Sequence, residues 1–183
     1  MSESLIDAYK LDCLVALLES TDKLDGDIVE VGVYKGGSAR AIVDNAGQSK
    51  VFLFDTFTGM PNHDPTLDGR WGIGSFSDTS AVAVMDMFVG DKRVSVYPGV
   101  FPAETGDVLA GRRLRFVHLD VDNYESYAAC LEFLYEQVVP GGIIVFDDYG
   151  EDCCPGAKAA VDEFFIGHAQ VVIEGPVVYV VKP

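Results

Sequence analysis

Short, unbroken apolar runs recur along the chain between stretches of helical periodicity. Asp27–Val33, Lys50–Asp55, Leu114–Asp120 and Gly141–Asp147 are the clearest. Runs of this length, without strict polar alternation, predict strands buried on both faces of a parallel sheet. A further strand is expected at 94–97, followed by a Pro98-Gly99 turn. Helical patterns fall near 37–46, 79–89, 103–109, 123–138 and 157–165. In the fourth, Leu131, Phe133, Leu134 and Val138 are assigned to the buried face, and Pro155 marks the start of the last. Two closing strands, near 170–173 and 176–182, flank Glu174-Gly175-Pro176. The alternation predicts an α/β, doubly wound, Rossmann-like sheet of about seven strands with a C-terminal antiparallel hairpin. One domain over residues 1–183 is expected, with a short amphipathic helix in its N-terminal segment 1–26.

The apolar runs end in acids: Asp55, Asp120 with Asp122, and Asp147-Asp148. The C-terminal edge of the strands is where open α/β sheets hold ligands. Several carboxylates converging there repel one another unless a cation sits among them. Residues 57–78, rich in Gly, Pro, Asp and aromatics, are too long for an ordinary connector and are read as a lid-like functional loop. Trp71, Phe76 and His63 in it either touch ligand or pack the lid.

Charge narrows the partners. Against 13 basic residues stand 29 acidic ones, a net charge of −16. Nucleic acid and anionic membranes are therefore not expected as partners. No apolar stretch reaches membrane-spanning length, and the N-terminus lacks a signal-peptide pattern. The four cysteines show no zinc or CxxC spacing. Cys13 and Cys130 fall on apolar helical faces and are read as core thiols. Cys153-Cys154 are either reactive or small loop residues. Reduced thiols and a cytoplasmic location are expected.

The turn Glu30-Val31-Gly32-Val33-Tyr34-Lys35-Gly36-Gly37-Ser38 joins a strand to a helix, and its glycines let a ligand approach the backbone. It is neither G-x-G-x-x-G nor a P-loop. A carboxylate at Glu30 repels a pyrophosphate and attracts a cationic amino group, favouring S-adenosylmethionine over NAD. Asp55 is placed to accept hydrogen bonds from ribose hydroxyls.

With EVGVYKGGS (30–38), FDTFTGMP (54–61), LDVDNYES (119–126), PGGIIVFDDYG (140–150) and KAAVDEF (158–164), the chain resembles a class I S-adenosylmethionine-dependent O-methyltransferase. Within that class it is similar to the macrocin, mycinamicin and novobiocin sugar O-methyltransferases. More distantly it resembles catechol O-methyltransferase. That likeness implies that Glu30, Gly32, Tyr34 and Ser38 hold the methionine part of the donor. It also implies that Asp55 holds the ribose and that Gly99-Val100-Phe101 borders the adenine; Asp120 is counted with the donor site as well.

The sugar-enzyme likeness implies Mg²⁺ on Asp120, Asp147 and Asp148, with Asp122 as the base. Three carboxylates suit a hard cation that prefers six oxygens. Asn123 stands where catechol O-methyltransferase has a lysine base. Asp122 alternatively caps the helix that follows, and His118 is either a second candidate base or a buried, hydrogen-bonded histidine. Glu125 is read as a first-turn helix acid, and Glu151 and Asp152 as solvated loop charges.

The expected reaction is methyl transfer from S-adenosylmethionine to a hydroxyl of a sugar or similar small molecule. The alternatives are a metal-independent small-molecule methyltransferase and a non-catalytic binding protein on the same fold. Family members generally carry a longer N-terminal extension, which implies a pocket that is more open or is completed by a partner in a homo-oligomer.

Overall fold

The computed structural model describes residues 6–167 and 171–183; the start of the N-terminal segment and residue 170 of the expected hairpin lie outside them. The elements are α1 (Ala8–Ser20), β1 (Asp27–Val31), α2 (Gly37–Asp44), β2 (Val51–Asp55), α3 (Ala81–Met87), β3 (Val94–Pro98), β4 (Leu114–Leu119), α4 (Tyr124–Leu134), β5 (Val138–Phe146), α5 (Pro155–Phe165), β6 (Val171–Glu174) and β7 (Val177–Val181). They build one seven-stranded sheet in the order β3-β2-β1-β4-β5-β7-β6. The first five strands are parallel; β7 runs antiparallel to both β5 and β6. This is the expected doubly wound sheet with its closing hairpin.

Strand pleating sends alternate residues to opposite faces. Val29, Val31, Phe52, Phe54, Val117, Leu119, Ile144 and Phe146 pack under Tyr127, Leu131 and Leu134 of α4 and Ala157, Val161 and Phe165 of α5. Ile28, Val51, Leu53, Phe116, Ile143 and Val145 face Leu14 and Leu18 of α1, Ile42 of α2 and Val84 of α3. Burial on both faces is why these strands read as continuous apolar runs.

Several expectations are corrected. The helix near 103–109 is a single 3-10 turn, Gly106–Leu109. The helix over 123–138 ends at Leu134, followed by a 3-10 turn at Tyr135–Gln137; Val138 is already in β5. The strand expected from Gly141 begins earlier, at Val138, so Gly141-Gly142 lies within β5. The amide of Gly141 donates to the Lys182 carbonyl, and Lys182 donates back to Gly142, so the neighbouring chain satisfies both groups. Cys13 is only partly buried, whereas Cys130 is fully buried.

The buried guanidinium of Arg115 donates to Leu18 O, Thr21 Oγ1, Ala46 O and Ser49 Oγ. It thereby ties α1 and α2 to β4. Among the described residues, no helix is long and apolar enough to cross a membrane.

Candidate active site

The strand ends meet at one edge because the hydrogen-bond ladder continues one residue past each strand. Gly32 donates to Phe54 O, Gly99 to Asp55 O, Asp120 to Val31 O and Asp147 to Leu119 O. The residues that follow β1, β3, β4 and β5 are thus laid side by side. They open onto a cavity of about 440 Å³.

One end of the cavity is the glycine-rich turn. Gly32, Tyr34, Ser38, Asp55, Gly99, Val100 and Phe101 all line it. Gly32 has φ +89°, and a Cβ there would lie 1.7 Å from the Asp120 carbonyl oxygen, so only glycine fits where the turn presses on β4. The α2 N-terminus is capped by Gly36, which supplies no side-chain acceptor to its first amides. Asp55 Oδ2 accepts the amides of Val33 and Tyr34, both at 2.8 Å, and Oδ1 accepts that of Phe57 at 2.6 Å. Asp55 therefore shapes the turn as well as lining the cavity. Phe101 packs against Phe54 in a tilted pair, 4.6 Å between ring centres.

Glu30 is placed differently. It is fully buried behind the cavity wall, and its Oε1 lies 2.9 Å from His118 Nδ1. It is not among the residues lining the cavity.

The other end is acidic. Asp120, Asp147 and Asp148 each present an oxygen within 4.8 Å of the other two, and Asp122, Asp148 and Cys154 form a second such group. Burial, then the charges of Asp147 and Asp148, hold the Asp120 carboxyl well above the usual range. Burial, then Asp148, pushes Asp122 up to about 8. Burial, then Asp147, raises Asp148 to about 6. Burial would raise Asp147 too, but His118 and Lys10 on either side of it outweigh that and lower it. Asp148 Oδ2 is held by the amides of Val121 and Asp122 and by the Tyr127 hydroxyl.

Asp122 does not cap α4. Asn123 takes that role, its Oδ1 accepting the Ser126 amide at 2.9 Å. Asp122 has φ +63°, lines the cavity, and accepts from Cys154 Sγ at 3.6 Å. His118 is fully buried and hydrogen-bonded, and it does not line the cavity.

Sequence reasoning missed Lys10. From α1, its Nζ donates to the Asp147 carbonyl at 2.6 Å and lies 3.2 Å from Asp147 Oδ2 and 3.7 Å from Glu151 Oε1. Glu151 is thus paired across the cavity rim as well as exposed, while Asp152 is simply exposed. A lone lysine in a surface-helix pattern gives no hint of this pairing. Cys154 is buried at the start of α5, and Cys153 lines the cavity with it, 3.6 Å away between sulfurs.

The 57–78 loop roofs the cavity through Met60, Pro61, Trp71, Ser75 and Phe76; His63 does not line it. Buried Asp68 anchors the loop, accepting the Tyr124 amide at 2.7 Å and that of Asp64 at 2.8 Å. The Arg70 amide donates to Cys153 O. Trp71 and Phe76 pack at 4.9 Å, and Tyr34 meets the edge of Phe76 at 5.7 Å.

Known proteins are similar to this chain in sequence and fold. An 8-demethyl-8-(2,3-dimethoxy-alpha-L-rhamnosyl)-tetracenomycin-C 4'-O-methyltransferase of Streptomyces olivaceus is 30% identical over 177 residues, covering 86% of this chain and 66% of that protein. A mycinamicin III 3''-O-methyltransferase of Micromonospora griseorubida is 28% identical over 183 residues, covering 90% of this chain and 70% of that one. The chain therefore spans about two thirds of the length of these relatives. The solved structure of the O-methyltransferase NovP superposes with a TM-score of 0.80 at 27% identity, over 98% of this chain and 81% of that one. The calicheamicin methyltransferase CalS11 gives 0.84 at 20% identity, over 94% and 78%, a likeness of fold. The family described as Macrocin-O-methyltransferase (TylF) matches residues 1–179, and to that family this chain belongs.

Proposed function

We propose that this protein transfers a methyl group from S-adenosylmethionine to a hydroxyl of a sugar on a small molecule, with Mg²⁺ at the acidic end of the cavity. One observation carries the reading: a single cavity joins the Gly32–Ser38 turn to the Asp120, Asp147 and Asp148 carboxylates. The relatives' sugar acceptors support the substrate class.

The donor set fits magnesium. Asp120, Asp147 and Asp148 supply hard oxygens, and the raised Asp120 and Asp148 carboxyls reflect burial first and mutual repulsion second, both of which a dication offsets. When bound, Mg²⁺ supplies Lewis acidity that makes a nearby hydroxyl easier to deprotonate. S-adenosylmethionine supplies an electrophilic methyl on sulfur. The protein's own residues do the remainder. Gly32, Tyr34, Ser38 and Asp55 border the methionine and ribose parts of the donor, and Gly99, Val100 and Phe101 border its base. Asp122, raised to about 8 by burial and Asp148 and favoured in its ionised form when a dication is bound nearby, takes the hydroxyl proton on its carboxylate. Trp71 and Phe76 close the roof and exclude water. Alignment of oxygen and methyl within this enclosure supplies the greater part of the acceleration.

Lys10 favours a second reading, in which the lysine and not a metal balances the carboxylates. The test is transfer of labelled methyl from S-adenosylmethionine to a panel of glycosides, with Mg²⁺ and with EDTA. Product with Mg²⁺ and none with EDTA is expected. Equal product in both favours the second reading, and no product from any glycoside overturns the function. The four free cysteines suit a reducing, cytoplasmic setting, and we read residues 1–183 as one methyltransferase domain.

A further inference from the structure

We propose that His118 is a positioning residue that orients Asp147 for its cation, and that Glu30 in turn holds His118. The inference rests on the metal reading given above. It assigns a role to two buried ionisable groups that lie outside the cavity.

The register of the sheet builds the arrangement. Glu30 on β1 pairs with His118 on β4, and His118 pairs with Val145 on β5. Asp147 is two residues beyond Val145, so the pleat turns it to the same face. Glu30, His118 and Asp147 thus form a row across three neighbouring strands, on the α1 side of the sheet. Along that row, Glu30 Oε1 lies 2.9 Å from His118 Nδ1, and His118 Nε2 lies 3.7 Å from Asp147 Oδ1. Glu30 and His118 side chains are both 0% exposed.

Two atoms in the row have no hydrogen-bond partner: His118 Nε2 and Glu30 Oε2. A buried polar atom without a partner costs about 1–3 kcal/mol and calls for an explanation. The acceptor that Nε2 faces is a carboxylate assigned to the cation. Lys10 approaches the other oxygen of that carboxylate at 3.2 Å. Asp147 is therefore faced by a nitrogen at each oxygen, His118 Nε2 of β4 at 3.7 Å and Lys10 Nζ of α1 at 3.2 Å. Carboxylates that ligate metals are characteristically oriented by such outer partners, and losing one typically costs about 10- to 100-fold in metal affinity. A base at His118 is a poorer account, because Asp147 stands between the imidazole and the cavity.

The test is direct Mg²⁺ titration of the full chain by calorimetry, without acceptor. His118→Phe is expected to weaken Mg²⁺ binding about 10- to 100-fold while leaving S-adenosylmethionine affinity within about twofold. His118→Gln, which keeps an N–H donor, is expected to recover part of the loss. Glu30→Gln keeps an acceptor for Nδ1 and is expected to cost less than His118→Phe. A spectroscopic readout uses the unaltered protein. The chain has three histidines, so the His118 imidazole ¹⁵N signals are assignable by His118→Gln. They are expected to move during the Mg²⁺ titration and saturate with it.

Folded His118→Phe that binds Mg²⁺ as the parent does overturns the inference. Should that variant not fold, a His118 signal indifferent to bound Mg²⁺ overturns it equally. A parent protein that binds no Mg²⁺ overturns the metal reading and this inference together, a result distinct from normal binding in parent and variant alike.

Discussion

Asp148 Oδ2 accepts the backbone amide of Asp122 at 2.9 Å. This single bond relates the two acidic segments of the site. It fixes the chain just after β4, where Asp122 adopts φ +63°. A non-glycine residue in the left-handed region carries strain of about 1–3 kcal/mol. The carboxylate opposite, with the cap at Asn123, holds it there and leaves the Asp122 side chain facing the cavity.

Under the proposed function, this geometry sets Asp122 apart as the base from the three ligands of the cation. Asp122→Asn should lower kcat by about 100-fold or more, the scale of a lost general base. Mg²⁺ affinity should change little, since Asp120, Asp147 and Asp148 remain. Steady-state kinetics with parallel calorimetry check this. Equal loss of metal would move Asp122 into the ligand set.

Asp120→Asn and Asp147→Asn should behave otherwise. Each should remove Mg²⁺ binding and activity together, and EDTA should add no further inhibition. Titration calorimetry and the labelled-methyl assay read both quantities on the same preparation.

Tyr127→Phe tests the support under Asp148. The Tyr127 hydroxyl is fully buried and lies 2.9 Å from both Asp148 Oδ2 and Leu119 O. Removing it leaves buried acceptors short of a donor, at a cost of about 1–3 kcal/mol in stability. Urea denaturation measures the loss; an unchanged midpoint would mean that water replaces the hydroxyl.

Gly32→Ala should disable both ends of the cavity. Its φ of +89° and the Asp120 carbonyl oxygen 1.7 Å from the added Cβ force β1 and β4 apart. The strained φ alone costs about 1–3 kcal/mol. Donor binding and Mg²⁺ binding should fall in parallel, seen by calorimetry with each ligand. Loss of one alone would show that the turn and β4 move independently.

Stability should fall as pH rises. Asp148 and Asp122 titrate at about 6 and about 8 when folded, against an ordinary 3.8. The folded state therefore holds protons that the unfolded chain has released, and stability drops between about pH 4 and 8. Burial works against the charged form of His118, but Asp147 and Glu30 outweigh it and raise the group from 6.5 to about 9. Its contribution is complete below pH 6.5 and is lost through about pH 9, in the same direction. Asp91, held at about 2 by Arg93, titrates below that window. Thermal melts from pH 5 to 9 should show a falling Tm without Mg²⁺ and a flatter profile with it. A Tm that rises over this range would contradict the buried placement of the carboxylates.

The order of apolar runs, the acids that end them and the glycine-rich turn were legible from the chain alone. Strands buried on both faces leave an unbroken apolar signature, and the residue after each such run must lie at the sheet's ligand edge. That reasoning reached Asp55, Asp120, Asp122, Asp147 and Asp148, all of which line the cavity. Side-chain partners were not legible. Glu30 precedes the donor turn in sequence, yet β1–β4 register commits it to His118. Lys10 lies 137 positions from Asp147 and meets it only because Arg115 and the core bind α1 to the sheet. Asn123, not Asp122, is the helix cap: the Asn123 side chain accepts the Ser126 amide, while the Asp122 carboxylate lines the cavity. Local pattern records which face a residue seeks; which atom it finds there depends on strands brought together from distant parts of the chain.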